Sequence, residues 1–368
     1  MEAKYRKLLW ISIGISLVAL LVVILLTFDE NTIDNLSRLN GWCLLGAFGL
    51  HLLAIVFWGA RILFLCRSLG YKVPLRHCIN MAAAGQLIAA ITPSSVGGEP
   101  VRVHELYKAK LPLADATAVV LVERLLEAVL LVLGVIIGMS AFSIIYSNGE
   151  VDGALIAAGW AGCGFFTAIL VVLILIMRKP ANVKRWGIKI AGLFTKKMKP
   201  EKQEKVKDGF VNGVDQFYGT FHHFAGKARW GLAVGFVFSL LFWGGEFSIA
   251  SVIMVGLGFE PNILLSVVFQ LIIAVILMIP ATPGSTGLAE AAYGGFYSLL
   301  GLGNMLGPFV VLLRLVLYYS NLIIGFAASF IIVRREAGLK EVIPSASAEA
   351  GEVPVSGAVS ESGLQNEK

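Results

Sequence analysis

The chain has 368 residues, of which 15% are charged and 57% are hydrophobic, with a formal net charge of +6 and a mean hydropathy of +0.80. A typical soluble domain carries about 25% charged residues, and a soluble fold of this length exposes too much surface to hide so apolar a composition. These values exclude a water-soluble fold, disorder over most of the chain, and nucleic-acid binding as the main role. The composition predicts an all-α, polytopic membrane protein.

Six apolar segments are long enough to cross a bilayer, which takes about 20 residues. Each is predicted to be a helix, because lipid cannot satisfy the polar groups of an open backbone. The segments are 8–27, 42–65, 116–146, 154–177, 230–257 and 307–333. We expect the first to be an uncleaved span rather than a signal peptide, since its apolar run is long and lacks a clear cleavage site.

Two further apolar segments, 78–92 and 263–279, are shorter and end at elbows rich in Gly, Ser, Thr and Pro. A second short helix is predicted after each elbow. Segments of this length fit broken or re-entrant helix hairpins better than full spans. If both arms of each hairpin crossed the membrane instead, the orientation of everything downstream would be unchanged.

The loop charges predict the orientation of the spans through the positive-inside rule. The acidic loops 28–41 and 147–153 are expected outside, whereas 178–229 holds 13 Lys or Arg against four Asp or Glu and is expected inside. The resulting prediction is a multi-pass protein of the cell (cytoplasmic) membrane with both termini in the cytoplasm.

Residues 1–340 are therefore predicted to form one integral membrane domain, followed by a disordered acidic tail over 341–368. Within the domain, the basic linker 178–229 has apolar residues at helical spacing. This pattern predicts amphipathic helices on the anionic cytoplasmic leaflet, the second of them around Phe210 and Phe217. A solvated connector between two halves of the bundle is the alternative interpretation.

An internal repeat relates the two elbows. The string TPSSVGGE at 92–99 resembles TPGSTGLAE at 282–290, at an offset of 190 residues, and the same offset places Arg124 on Arg314. The repeats are predicted to be 42–146 and 230–333. Because the first elbow is entered from the cytoplasm and the second from outside, the repeats are expected to have inverted topology, which is typical of secondary transporters.

The elbows are candidate ligand sites, because freed backbone N–H groups and a helix N-terminus favour a phosphate or carboxylate. Helix breaks capped by their own Ser and Thr side chains are the alternative. The candidate substrate-binding residues are Thr92, Pro93, Ser94, Ser95, Gly97, Gly98, Glu99, Arg102, Glu123, Arg124, Glu246, Thr282, Pro283, Gly284, Ser285, Gly287, Glu290 and Arg314.

The intramembrane charges among these residues should face the bundle interior and have partners, since an unpaired charge there costs at least about 2.5–3.5 kcal/mol. The sequence leaves several pairings open: Arg124 with Glu290 or Glu246, and Arg314 with Glu99 or Glu123. Structural ion pairs that hold the repeats together are the alternative to a binding role.

Two other polar residues in the apolar segments are interpreted differently. Arg61 is expected to reach water at its end of the span by snorkelling. His51 is interpreted as a hydrogen-bonded packing residue rather than a proton relay.

The strings TPSSVGGEPVR and TPGSTGLAE, with the downstream Glu123-Arg124 and Arg314, resemble the flippase-like membrane domain of lysylphosphatidylglycerol synthases over roughly residues 5–335. That domain also occurs alone in an uncharacterised bacterial and archaeal family. The resemblance implies movement of lipid-linked polar groups between leaflets. Only 35 residues follow Val333, so we expect the synthases' aminoacyl-transferase activity to be absent.

The resulting functional hypothesis is a lipid flippase or related secondary transporter for an anionic or lipid-linked headgroup. It is not an enzyme, and no catalytic residue, metal or cofactor is expected. Membrane lipids are the expected partners, with no nucleic acid, and homo-oligomerisation is left open. The alternatives are a non-transporting scaffold for cell-envelope or glycolipid synthesis and a lipid-modifying enzyme that uses His104 and Glu105.

Overall fold

The computed structural model describes residues 39–92, 97–145, 200–277 and 284–349, together with Thr282 and a few positions between 160 and 185. All regular structure in these residues is helical, which confirms the all-α prediction. The predicted span 8–27 lies outside the described residues, and 154–177 is described at only a few positions.

The helices follow the predicted order, with a short 3-10 turn at Gly303–Met305 and a π-helical segment at Leu315–Tyr319. Among the described residues, four stretches are long and apolar enough to cross a membrane: Gly41–Ser68, Leu113–Ile144, Arg229–Gly256 and Gly303–Arg335. The helices are α1 (Gly41–Ser68), α2 (Leu75–Ile91), α3 (Gly98–Lys108), α4 (Leu113–Ile145), α5 (Pro200–Ala225), α6 (Arg229–Gly256), α7 (Ile263–Ile276), α8 (Leu288–Ser298), α9 (Leu306–Arg314) and α10 (Ser320–Glu349).

Both predicted helix hairpins are present, as α2–α3 and α7–α8. The first is closed by glycines, because a Cβ atom on Gly98 would lie 2.7 Å from the carbonyl oxygen of Gly85. Real Cβ atoms do not approach backbone so closely, so glycine is what allows α2 and α3 to touch at this point.

The corresponding first helices of the two repeats, α1 and α6, pack antiparallel along their whole length. The amide N–H of Asn40, before α1, donates to the carbonyl of Gly256 at the end of α6 (2.9 Å). At the opposite ends, a Cβ on Gly231 would lie 2.4 Å from the Cβ of Ser68. Antiparallel packing of these two helices is the arrangement that the predicted inverted repeat requires.

The last helix of each repeat crosses onto the hairpin of the other. In α4, a Cβ on Gly134 would lie 2.8 Å from a methyl group of Leu271 in α7. In α10, a Cβ on Gly325 would lie 2.6 Å from the carbonyl oxygen of Ala83 in α2. Small residues let these helices approach closely, as in other membrane bundles, and the exchange joins the two repeats.

The second half of the basic linker docks against the first repeat. Phe224 of α5 is buried among residues of α1, α2 and α4, and the hydroxyl of Thr220 donates to Asp115 at the start of α4. The same carboxylate accepts a hydrogen bond from Tyr71, which precedes α2 (2.5 Å). Burial, and then this contact with Asp115, raises the pKa of Tyr71 to about 12.

Two features differ from the sequence prediction at the C-terminal end. The predicted span 307–333 is interrupted by the π-helical segment, which begins directly after Arg314. Helix α10 also continues to Glu349, so that 341–349, predicted to be disordered, are helical, and 351–368 lie outside the described residues.

Candidate functional site

A cavity of about 530 Å³ lies where the two repeats meet. Side chains from α2, α3 and α4 of the first repeat line it together with side chains from α6 to α9 of the second. Much of its wall is apolar, with Leu131, Phe242, Trp243 and Phe247 among the lining residues. The charged lining residues are Glu99, Glu127 and Arg124 of the first repeat and Glu246 and Arg314 of the second.

The first repeat contributes an ion-pair cluster around Arg124. Its Nε lies 2.8 Å from Glu99 Oε1, and its Nη1 lies 2.5 Å from Glu127 Oε2. Glu99 sits in the first turn of α3, whereas Arg124 and Glu127 share one face of α4 at a spacing of three residues. The arginine side chain is 37% exposed, so part of the guanidinium group faces the cavity.

Two more arginines stand behind this pair and complete the cluster. Arg61 Nη2 lies 2.7 Å from Glu123 Oε1 and 2.6 Å from Glu127 Oε1. Arg102 lies 3.4 Å from Glu99 and 3.7 Å from Glu123. With Arg124, the three arginines face three glutamates, so the cluster is electrically balanced.

The ring of Trp58 lies against the three guanidinium groups of the cluster. The central carbons of Arg102, Arg61 and Arg124 lie 5.1, 5.7 and 6.0 Å from its centroid. Its indole N–H also donates to Glu123. The cation–π contacts and this hydrogen bond help to hold the cluster together.

The second repeat contains a simpler version of the same arrangement. Arg314 Nε lies 2.9 Å from Glu290 Oε1, and the other carboxylate oxygen of Glu290 accepts the N–H of Gly287 (2.7 Å). The acid therefore caps the N-terminus of α8 and neutralises the arginine at once. The π-helical segment places the ring of Tyr318 over the guanidinium group, 4.1 Å away.

The two elbows touch each other beside the cavity. The N–H of Gly284 points at the carbonyl of Thr92 (3.5 Å), and a Cβ on Gly284 would lie 2.4 Å from the carbonyl oxygen of Ala90. Gly284 also has a φ of +60°, which only glycine adopts readily. Glycine is therefore needed at this contact both for its backbone conformation and for its size.

The elbow side chains mostly bond within their own elbows. Thr92 accepts the N–H of Gly97 (3.1 Å) and donates to Ile88, while Thr282 and Ser285 donate to the carbonyls of Thr286 and Leu277. Pro93, Ser94, Ser95 and Pro283 lie outside the described residues. Self-capping, which the sequence left as the alternative, is thus present in the described part of both elbows.

The pairings suggested from the sequence were wrong. Arg124 and Arg314 each pair with the glutamate of their own elbow helix, Glu99 and Glu290, rather than with an acid of the other repeat. The reason is local, since each elbow helix packs beside the last span of its own repeat. Arg61 does not reach water either, because Glu123 and Glu127 hold its fully buried side chain.

A third polar group reaches the cavity wall at Glu246, and sequence reasoning missed only that its partner is His51, which is interpreted from the sequence as a hydrogen-bonded packing residue. His51 Nδ1 lies 2.8 Å from Glu246 Oε1, and its Nε2 lies 3.2 Å from Asn321 Oδ1. The side-chain amide of Asn321 in turn donates to the carbonyl of Leu317 (2.7 Å). The sequence contains a histidine and a glutamate that lie opposite each other once α1 and α6 are paired antiparallel. This pair could be recognised only if the helix pairing was already known.

The residues suggested for an enzymatic role do not converge. His104 is exposed on α3, whereas Glu105 is buried and lies 3.8 Å from His77 Nε2. Consecutive helical residues point in different directions, so these two side chains form no joint site.

Comparison with known proteins agrees with this architecture. The family model described as the lysylphosphatidylglycerol synthase TM region matches residues 9–325. A UPF0104 membrane protein of Archaeoglobus fulgidus is 30% identical over 325 residues, which cover 86% of this chain and 94% of the relative.

Two further archaeal relatives carry the same description. The UPF0104 membrane protein of Methanothermobacter thermautotrophicus is 25% identical over 88% of this chain and 95% of its own length. That of Methanocaldococcus jannaschii is 23% identical over 85% and 91% of the respective lengths. No solved structure matches the chain.

Proposed function

The chain belongs to the lysylphosphatidylglycerol synthase TM region family, and on that basis we propose that it is a non-enzymatic lipid flippase or related secondary transporter. In this proposal the substrate is either a lipid with an anionic headgroup or a polar group attached to a lipid. The observation that carries the proposal is the charged cavity between two inverted repeats. Inverted repeats with broken helices at their interface are the usual construction of an alternating-access transporter.

The size and lining of the cavity suit a headgroup. Its volume of about 530 Å³ lies within the range of about 300–1,000 Å³ that small-molecule sites occupy. Apolar and aromatic side chains line most of it, and the charged groups are concentrated around Arg124 and Arg314. In the proposal the headgroup enters the cavity while the acyl chains remain in lipid.

Arg124 is the group best placed to receive a phosphate. It is the most exposed arginine of the ion-pair cluster, and it lines the cavity together with its partners Glu99 and Glu127. The charge of Arg124 is already neutralised by Glu99 and Glu127. An arriving phosphate would therefore share the guanidinium group with these carboxylates or displace one of them from it. Binding by exchange keeps the affinity moderate, as release on the opposite side requires.

We also propose that the termini and the basic linker are cytoplasmic, as the loop charges predict. Cysteine labelling of the intact protein in sealed membranes tests this orientation. A cysteine at Asn148 should react only from outside and one at Lys197 only from the cytoplasm. Reaction of both positions from the same side would contradict the inverted orientation of the repeats.

The transport proposal is tested by reconstitution of the full chain into liposomes that contain phosphatidylglycerol with a fluorescent acyl chain. Reduction of the outer-leaflet fluorophore measures movement between leaflets. We expect Arg124→Gln to slow movement about tenfold to a hundredfold, the effect of losing charge-assisted hydrogen bonds worth about 1.5–3 kcal/mol. Lys227→Ala, at an exposed position in the turn between α5 and α6 that does not line the cavity, is the control.

A double variant separates binding from structure. Glu99→Gln combined with Arg124→Gln removes the ion pair without leaving a lone buried charge. The double variant should therefore be more stable than Arg124→Gln alone, but its rate of lipid movement should stay low. Wild-type rates in the double variant would show that Arg124 serves only the structure. If the wild-type protein moves no lipid above the rate of empty liposomes, the transport proposal is wrong.

A further inference from the structure

One buried group in the cavity wall has a role that the ion-pair clusters do not explain. His51 of α1 is only 1% exposed and faces Glu246 of α6, whose side chain is 16% exposed and lines the cavity. Among the residues that the structure describes, the other cavity glutamates, Glu99 and Glu127, pair with arginine. The partner of Glu246 is instead a side chain whose charge depends on a proton.

The proton content of this pair follows from the hydrogen bonds of Asn321. The carbonyl of Leu317 is an acceptor, so the Asn321 atom that faces it at 2.7 Å must be the amide nitrogen. This fixes Asn321 Oδ1 toward His51, where it can only accept. His51 Nε2 must therefore carry a hydrogen and donate it across 3.2 Å.

With Nε2 protonated, the contact on the other side of the ring requires one more proton. His51 Nδ1 and Glu246 Oε1 are 2.8 Å apart, and a bare ring nitrogen opposite a carboxylate would place two lone pairs at hydrogen-bond distance. The arrangement is stable with a single proton between them. That proton lies either on Nδ1, beside a carboxylate, or on Glu246, beside a neutral imidazole, and in both forms the pair has zero net charge.

From this geometry we propose that His51 and Glu246 form the proton-binding site that couples lipid movement to a proton gradient, an inference that rests on the proposed transport function. Loss of the shared proton leaves a neutral imidazole, still bonded to Asn321, and a carboxylate with net charge −1. The two groups then repel and are incompletely solvated, so α1 and α6 separate at this level. Since α1 and α6 are equivalent helices of the two repeats, their separation changes the interface that alternates.

The other charged residues that line the cavity are held in ion pairs, which makes His51 and Glu246 the groups expected to exchange a proton. Arg124 and Arg314 are each bound to glutamates of their own repeats, so their charges are already balanced. The titratable and charged side chains that share the cavity are Glu99 of α3, Arg124 and Glu127 of α4, Tyr293 of α8, Arg314 of α9 and Tyr318 of the π-helical segment. Glu290, behind Arg314, caps α8.

The coupling is tested in phosphatidylcholine liposomes that contain the full chain, a trace of phosphatidylglycerol with a fluorescent acyl chain, and an internal pH dye. With one proton per lipid, a gradient of about one pH unit should sustain a leaflet ratio of about tenfold for the fluorescent lipid. In His51→Gln the ratio should be the same with and without the gradient. His104→Gln, the same change at an exposed histidine, should behave as wild type.

The outcomes separate the two proposals. If the wild type moves lipid but its leaflet ratio ignores the gradient and the internal dye records no proton movement, the coupling inference is overturned while the transport proposal stands. If the wild type moves no lipid, the transport proposal fails first.

A measurement on the folded wild type does not depend on any variant. The chain has five histidines, so nitrogen-15 histidine NMR, with assignment by loss of a signal in His51→Gln, reports both ring nitrogens of His51 directly. We expect Nε2 to be protonated and Nδ1 to show a strong hydrogen bond to a shared proton at neutral pH. An unprotonated Nδ1 without that bond would overturn the site.

Discussion

The two repeats share one ion pair but surround it with different charged residues. Each has a glutamate in its elbow helix bound to an arginine of its last span, Glu99 with Arg124 and Glu290 with Arg314. The first repeat adds two arginines and two glutamates to this pair. At the corresponding offset of 190 residues, Glu123 and Glu127 are replaced by Leu313 and Leu317 in the second repeat.

The difference assigns the two halves different roles. The first repeat has a dense, balanced cluster that resists separation of its helices, because moving one member leaves another buried charge without a partner. The second repeat has the Glu290–Arg314 pair and a π-helical segment, and it meets the first repeat at the His51–Glu246 contact. We therefore expect the first repeat to be the rigid half of the molecule and the second repeat to be the adjustable half.

The largest expected effect tests the rigid half. Arg61→Ala leaves Glu123 and Glu127 short of their buried partner, and loss of one member of a buried ion pair costs about 3–5 kcal/mol. We expect a marked fall in the thermal unfolding midpoint of the purified protein in detergent. Arg67→Ala removes an exposed arginine six residues further along α1 and should change the midpoint little. Equal losses in the two variants would show that the cluster is not specially stabilising.

The shared pair offers a more direct comparison of the repeats. A double-mutant cycle with Arg314→Gln and Glu290→Gln should give a larger coupling energy than one with Arg124→Gln and Glu99→Gln, within the usual range of about 0.5–3 kcal/mol. The reason is that the Arg314 and Glu290 side chains are 6% and 1% exposed, whereas those of Arg124 and Glu99 are 37% and 25% exposed and are screened more by water. Unfolding midpoints of the single and double variants supply both cycles, and equal couplings would remove the proposed asymmetry.

Substitution of the glycine at the elbow contact should lower stability, whereas substitution of a glycine outside the contact should not. Gly284→Ala forces a methyl group against the carbonyl of Ala90 at a positive φ, so we expect a loss of about 1–3 kcal/mol in stability together with slower transport. Gly294→Ala, in α8 with no atom within 4 Å of its Cβ position, should be neutral or slightly stabilising. Unchanged behaviour of Gly284→Ala would mean that the elbows are not in contact during the cycle.

The smallest effect concerns the attachment of the linker to the rigid half. Tyr71→Phe removes one hydrogen bond to Asp115 and should lower stability by about 0.5–1.5 kcal/mol. Because the folded pKa of Tyr71 is raised to about 12, its contribution is present in full below the ordinary tyrosine pKa of about 10 and is lost as the pH rises toward 12. Unfolding midpoints between these values should fall more steeply in the wild type than in Tyr71→Phe, and parallel curves would contradict the assignment.

Periodicity and internal similarity predicted the architecture because both are local properties of the chain. The described spans begin and end within a few residues of their predicted limits, and both hairpins occur where the elbows at Thr92 and Thr282 indicated. A short apolar run that stops at proline and glycine has few alternatives in lipid. The roles assigned to the candidate site residues stay predictions that the transport assays above will decide.

Pairing could not be predicted in the same way. Whether Arg61 reaches water or Glu123 depends on which helix stands beside it, and that order is a property of the folded bundle. The same holds for His51 and Glu246, which are 195 residues apart in sequence and meet only because α1 and α6 are antiparallel. The sequence shows how few charged residues lie in the membrane-spanning segments. The partner of each one is decided by the packing of helices that are distant in sequence.

The exchange of last helices between the repeats has a consequence for biosynthesis and ancestry. Gly134 of α4 packs against α7, which has not yet been translated when α4 enters the membrane. Until then, this surface of the first half is exposed to lipid. A half alone could satisfy that face only with a second copy of itself in the opposite orientation. The exchanged helices are thus the packing expected of two copies of one half that are joined in a single chain and related by inversion.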